Sequence, residues 1–253
     1  MIKGILFDKD GTLIDFFSLW QPAIIPVLNQ LIKDYHLYPS DIYLEQLSDA
    51  IGFHNGEVDP EGAIAWKPYQ LIAEDLGEII EKEVKDLDYN LLTQRLQDYF
   101  TDAVHVSMSD IPTFTDTRKL FDKLKRMDIA IGIVTTDTFL STWKTMEDLG
   151  LDHFISFVGT SDNSRPIKPN PELLYQAARL WGCDSSEIIV VGDTPNDMRF
   201  ANNGRAIGVG VTSGTGNLFS LAEYTSYVIP TVAELVPLLE EINQMKEDPR
   251  VNY

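Results

Sequence analysis

Short apolar runs closed by turn residues alternate along most of this chain with segments whose apolar positions recur every three to four residues. The first run, Gly4-Ile5-Leu6-Phe7, stops at Asp8-Lys9-Asp10-Gly11-Thr12. Runs at 129–135, 187–192 and 206–211 resemble it, with weaker ones at 154–158 and 227–229. Such runs read as strands buried on both faces. Helical periodicity falls between them, at 117–127, 139–149, 171–181, 197–203 and 232–245. Pro171 suits a first helical turn and Gly182 a helix stop. Strands alternating with helices predict an α/β fold. Its core is a Rossmann-like parallel sheet covered on both faces, with the chemistry at the carboxyl ends of the strands.

The pattern changes between the first strand and the second. Amphipathic helical segments are expected near 18–35, 41–51, 68–86 and 89–104, with no strand among them. Residues 52–67 read as a loop holding His54, Asn55, Gly56, Pro60 and Gly62. The α/β core is therefore expected at 1–15 and 110–253, interrupted by an all-helical insert at 16–109. An insert that directly follows the first strand belongs over the sheet's carboxyl end, the position of a lid.

Composition narrows the partners. The 253 residues carry 39 Asp+Glu against 20 Lys+Arg, a net charge of −19, with 44% hydrophobic residues to build a core. That balance argues against a nucleic-acid binder, which needs a basic stripe to displace counterions, and against docking on an anionic membrane. The one cysteine, Cys183, permits no intrachain disulfide and fits a reducing compartment. His36, His54, His105 and His153 show no metal-ligand spacing. No stretch approaches the ~18 apolar residues of a membrane helix, and the N-terminal apolar run is too short for a signal peptide. A cytoplasmic protein, monomer or homodimer, is expected. A chain this acidic can act on an anion only with cations placed locally.

Four groups of residues stand at strand ends or in stiffened loops. Asp8 and Asp10 follow the first strand; unit charges ~4 Å apart at an effective dielectric of ~20 repel by about 4 kcal/mol, which a cation or a proton relieves. The same residues also suit a plain turn. Thr135 and Thr136 follow the second strong strand, where a hydroxyl and an exposed amide can hold an anionic oxygen or simply satisfy β propensity. Lys168 lies between Pro166 and Pro169 in a stiffened segment, either a directed cation or a solvated loop residue. Gly192-Asp193-Thr194-Pro195-Asn196-Asp197 closes the most apolar strand, and Asp197 also fits a helix N-terminus.

Taken in order, these residues resemble the haloacid dehalogenase superfamily. The resemblance rests on Phe7-Asp8-Lys9-Asp10-Gly11-Thr12-Leu13, Val134-Thr135-Thr136, Lys168-Pro169-Asn170-Pro171 and Val191-Gly192-Asp193-Thr194-Pro195-Asn196-Asp197. It covers roughly residues 1–15 and 110–230, and the insert looks like the superfamily's helical cap of C1 type. The Lys-Pro-x-Pro and Gly-Asp-Thr motifs are similar to the phosphoglycolate phosphatase-like group. The resemblance implies a Mg²⁺-dependent phosphatase acting on a small phosphorylated metabolite through an aspartyl-phosphate. It makes Asp8 the nucleophile and Asp10 the general acid and base. It gives Thr135, the Thr136 amide and Lys168 the phosphoryl oxygens. Asp8, the Asp10 carbonyl and Asp193 become metal ligands, with Asp197 completing the shell directly or through water. Hard oxygen donors suit Mg²⁺, and phosphoryl transfer depends mostly on positioning and charge neutralisation.

Asp10 sets aside the dehalogenases and phosphonatase-like members, which resemble this fold but lack or replace that residue. A sugar phosphomutase of the same fold keeps it, and a non-catalytic interaction protein is the other alternative. Asp137 departs from the superfamily pattern after Thr135, and it is expected to cap the helix at 139–149. Substrate choice is expected from residues 52–67, with His54, Asn55, Trp66 and Lys67 as candidates. Gly214-Thr215-Gly216 fits no phosphate-cradle frame and reads as a flexible loop, and the acidic run at 74–88 as a solvated helix face.

Overall fold

The computed structural model describes residues 1–105, 111–162 and 166–247. The chain divides into two units, Met1–Asp15 with Thr113–Tyr253, and Phe16–Pro112. The expected boundary between 109 and 110 lies outside the described residues. Among the described residues eight strands follow in chain order: β1 (Gly4–Phe7), β2 (Phe53–His54), β3 (Glu57–Val58), β4 (Ala130–Val134), β5 (Ile155–Gly159), β6 (Ile188–Gly192), β7 (Ile207–Val211) and β8 (Val228–Ile229).

Six of them form the sheet of the first unit, in the order β5-β4-β1-β6-β7-β8, and every neighbouring pair is parallel. β1 is central, and its Ile5, Leu6 and Phe7 are fully buried. Successive side chains of a strand point to opposite faces. Leu6 therefore packs with Leu173, Leu174, Ala177, Phe200 and Ala201, from the helices Glu172–Trp181 and Pro195–Asn203. Phe7 meets Phe121 of the helix Thr117–Arg126 on the other face, ring centroids 5.3 Å apart, and Phe121 meets Phe154 at 6.1 Å. Cover on both faces is what the unbroken apolar runs required.

The register aligns the strand exits. Phe7 lies level with Ile133 of β4 and Val191 of β6, and the Asp8 amide donates to the Val191 carbonyl at 2.8 Å. Residues following β1, β4 and β6 thus emerge side by side. The strand order reverses around β1, and α/β sheets bind ligands in the crevice at such a point.

The unit Phe16–Pro112 gathers helices at Gln21–Asp34, Ser40–Ile51, Tyr69–Ile80 and Tyr89–His105 around Leu31, Leu47, Leu76, Leu92, Leu96 and Phe100. Residues 52–67 are more ordered than a loop. β2 and β3 pair antiparallel as a two-residue hairpin, whose Asn55-Gly56 turn has φ of 52° and 85°. Asn-Gly tolerates two successive left-handed residues and matches the strand twist, so this turn folds locally. A short helix, Ala63–Trp66, follows. The acidic run leaves the helix early: Tyr69–Ile80 ends at the Glu81 cap, and Asp86 has a positive φ. Among the described residues no helix is long and apolar enough to cross a membrane.

Phe121 carries the aromatic contact beneath β1. Phe121→Ala should cost about 3–5 kcal/mol through lost burial and a cavity, read as a lower urea midpoint at unchanged m-value.

Candidate active site

The exits of β1 and β6, with the loop 166–171, bring three carboxylates and one ammonium together. Oxygens of Asp8, Asp193 and Asp197 lie within 4.8 Å of one another. Lys168 Nζ donates to Asp8 Oδ1 at 2.7 Å and to Asp197 Oδ1 at 2.6 Å. Its side chain is 5% exposed, so the interaction is poorly screened by water. The lysine stands in a turn closed by the Asn170 amide on the Ile167 carbonyl at 2.9 Å, and the Lys168–Pro169 peptide is cis.

Asp197 answers to two constraints. Its Oδ2 accepts from the Thr194 amide at 3.1 Å and the Thr194 hydroxyl at 2.6 Å, while the Asp197 amide donates to Thr194 Oγ1 at 3.3 Å. This is a reciprocal cap on the helix Pro195–Asn203. Oδ1 takes Lys168, so one carboxylate caps a helix and orients the lysine.

Asp193 is held from another direction. Thr12 Oγ1 donates to its Oδ1 at 3.3 Å, and the Thr215 amide to its Oδ2 at 2.8 Å. The 214–216 segment, expected as a flexible loop, is packed onto the site. A Cβ at Gly214 would stand 2.0 Å from Asp193 Oδ2, and one at Gly216 would stand 1.9 Å from the Asp193 carbonyl oxygen. Gly11, at φ +82°, approaches Asp193 in the same way. These glycines are needed because the Asp193 carboxylate, or for Gly216 its carbonyl oxygen, lies where a Cβ would be. The Gly-x-Gly after the β7 run was the available signal for this packing.

The electrostatics follow from burial first and crowding second. Burial is the main reason the Asp8 carboxyl is raised to about 7; Lys168 opposes this, while Asp197 and Asp10 add to it. Asp193 is raised well above the carboxylate range, first by burial and then by Asp8 and Asp197. For Lys168 burial acts downward, yet the carboxylates of Asp197 and Asp8 outweigh it and the ammonium is held charged. A pocket that raises its own carboxylates lacks positive charge, and hard oxygen donors at this spacing fit a divalent cation such as Mg²⁺.

Two sequence readings change on the β4 side. Thr135 follows β4, its amide donating to the Gly159 carbonyl at 3.0 Å, and Thr136 is half-buried beside it. Asp137 does not cap the next helix. Thr138 does, accepting from the Ser141 amide at 3.4 Å. Asp137 instead turns inward, and its Oδ2 lies 2.8 Å from Lys9 Nζ. Lys9 also lies 2.8 Å from Asp10 Oδ2, with its side chain 2% exposed. Burial pulls the lysine down, but Asp10 and Asp137 raise it beyond its ordinary value. Reading the chain alone missed Lys9. The clue was the pairing of a lysine inside the first motif with an unusual aspartate after Thr135.

The other candidates belong to the unit Phe16–Pro112 and have local partners there. His54 Nδ1 lies 2.9 Å from Asp49 Oδ1. Lys67 Nζ donates to both oxygens of Asp75, at 2.9 and 2.7 Å. Trp66 Nε1 donates to the Glu61 carbonyl at 3.1 Å. Asn55 is accounted for by the hairpin turn.

The family model for haloacid dehalogenase-like hydrolases matches residues 2–205, and the chain belongs to that family. It is 24% identical over 244 residues to the pyrophosphatase PpaX of Bacillus cereus (strain AH820), covering 96% of this chain and 99% of that protein. It is 24% identical over 222 residues to the phosphoglycolate phosphatase of Neisseria meningitidis, covering 88% of this chain and 85% of the relative. A crystal structure described as a predicted phosphoglycolate phosphatase from Haemophilus somnus shares the fold, with a TM-score of 0.71 at 18% identity, covering 94% and 98% of the two chains.

Gly216→Ala should push the 214–216 segment off Asp193 and cost about 1–3 kcal/mol by overpacking. Thermal denaturation checks this, and an unchanged Tm would show that the contact is dispensable.

Proposed function

We propose that this chain is a Mg²⁺-dependent phosphatase that hydrolyses a small phosphate monoester, with phosphoglycolate as the leading candidate. The observation that carries the reading is the Lys168 ammonium, fixed between Asp8 and Asp197 and buried at the edge of a carboxylate cluster. Family membership and the phosphatase relatives support it.

In this reading an Asp8 oxygen attacks phosphorus, the bond from phosphorus to the leaving oxygen breaks, and an aspartyl-phosphate forms. Asp10 gives a proton to the departing alkoxide and later takes one from the water that cleaves the acyl phosphate. Lys168 neutralises the Asp8 side of the transferring group. The Thr135 hydroxyl and the Thr136 amide hold its equatorial oxygens, and a charge of roughly −2 on the substrate needs all of these. Asp8, Asp193 and the Asp10 carbonyl would hold Mg²⁺. The ion supplies charge neutralisation at the transferring phosphoryl oxygens. Asp197, its two oxygens engaged by Lys168 and Thr194, would complete the shell directly or through water and adds negative charge to it. The unit Phe16–Pro112 serves as the cap, and His54, Asn55 and Lys67 remain its candidates for contact with the leaving group.

Asp8→Asn should abolish turnover of p-nitrophenyl phosphate and EDTA should suppress it, whereas Lys168→Ala should lower kcat by at least about tenfold through lost charge stabilisation. Robust hydrolysis by the Asp8→Asn protein would falsify the mechanism. The pH response has a definite sign. Asp8, raised to about 7 in the metal-free protein, must lose a proton to ligate a cation below that pH. Mg²⁺ should raise Tm more at pH 8 than at pH 6, and titration calorimetry should detect proton release at pH 6 that is smaller at pH 8, once Asp8 has ionised.

A further inference from the structure

The nucleophile's neighbour Lys9 has no role in the scheme above, yet it is among the most deeply buried large side chains. Its ammonium reaches from the β1 exit to the β4 exit, 2.8 Å from Asp10 Oδ2 and 2.8 Å from Asp137 Oδ2. The far end of this link is rigid. Asp137 Oδ1 accepts from the Thr138 amide at 2.7 Å, its own amide donates to Thr135 Oγ1 at 3.2 Å, and its carbonyl accepts from the Ser161 amide at 3.1 Å. Asp10 is the more exposed partner, at 20%, so the lysine ties a solvent-facing carboxylate to an anchored one.

The charges suggest why two aspartates are used. A lysine paired with Asp10 alone would fix that carboxylate but cancel its charge. With Asp137 added, one positive and two negative charges leave a net −1, the charge Asp10 would carry alone. The trio therefore fixes position without neutralising the site. Breaking it also carries a penalty, because a buried charge left without its partner is strongly unfavourable.

We propose that Lys9, held by Asp137, is a positioning residue for Asp10 that keeps its carboxylate set for proton transfer to the leaving group. This rests on the assignment of Asp10 as general acid and deepens it. A positioning defect in an acid has a signature that general destabilisation lacks: it penalises basic leaving groups most. Phenyl phosphate needs the proton more than p-nitrophenyl phosphate, whose leaving group departs readily.

The test measures kcat/KM for both esters with Mg²⁺ in the intact protein and in Lys9→Met, Lys9→Arg and Lys9→Met/Asp137→Asn. The double variant leaves no uncompensated buried charge, so it reads out the proposal even if Lys9→Met fails to fold. Lys9→Met and the double variant should each lose about tenfold more on phenyl phosphate than on p-nitrophenyl phosphate, less than the roughly 10²–10⁴-fold of a whole general-acid contribution because the acid is displaced and not removed. Lys9→Arg, which keeps the cation, should restore most of that ratio. An equal loss on both esters, or a ratio unchanged from the intact protein, overturns the proposal. Failure of the underlying assignment shows separately, as an ester ratio that Asp10→Asn leaves unchanged. A ratio altered by Asp10→Asn but unchanged in the Lys9 variants sinks the Lys9 assignment alone.

Discussion

Lys168, at 2.7 Å from Asp8 and 2.6 Å from Asp197, is the contact on which the rest of the site depends. Three carboxylates within 4.8 Å of one another are mutually repulsive, and burial strengthens that repulsion. The carboxyls of Asp8 and Asp193 are raised first by burial and further by this repulsion. One ammonium at this position lets Asp8 ionise and orients Asp197. It leaves the cluster still negative and so still receptive to a cation.

The same device occurs twice. Lys9 and Lys168 are the two lysines buried among the described residues, and each bridges two carboxylates. In a chain of net charge −19, two cations are thus withdrawn from solvent and spent at the carboxyl end of a single sheet. With its carboxylates ionised, each trio carries a net −1. Direction and position are fixed while the local field stays negative, which leaves the carboxylate cluster receptive to a cation.

These contacts need a rigid base. The parallel register of β1, β4 and β6 places three strand exits level. Apolar packing on both faces keeps them there, through the Leu6 cluster on one side and Phe7-Phe121-Phe154 on the other. Backbone approach completes the arrangement, since Gly11, Gly214 and Gly216 crowd Asp193 where no Cβ fits.

The apolar runs and their turn residues determined the six strands of the parallel sheet and the motif positions, because burial on both faces leaves a continuous apolar signature in the chain itself. Asp8, Asp193, Asp197 and Lys168 were legible for the same reason: each follows a strand or sits in a proline-stiffened segment. Only the tertiary structure decided how the charges pair. Asp137 looked like a helix cap by local spacing, and it became the counter-ion of Lys9 because the β1 and β4 exits are neighbours in space. The Gly214-Thr215-Gly216 segment looked loose because its partner, Asp193, lies on a different strand exit. Ion pairs and close backbone approaches join residues far apart in the chain, and local periodicity carries no record of them.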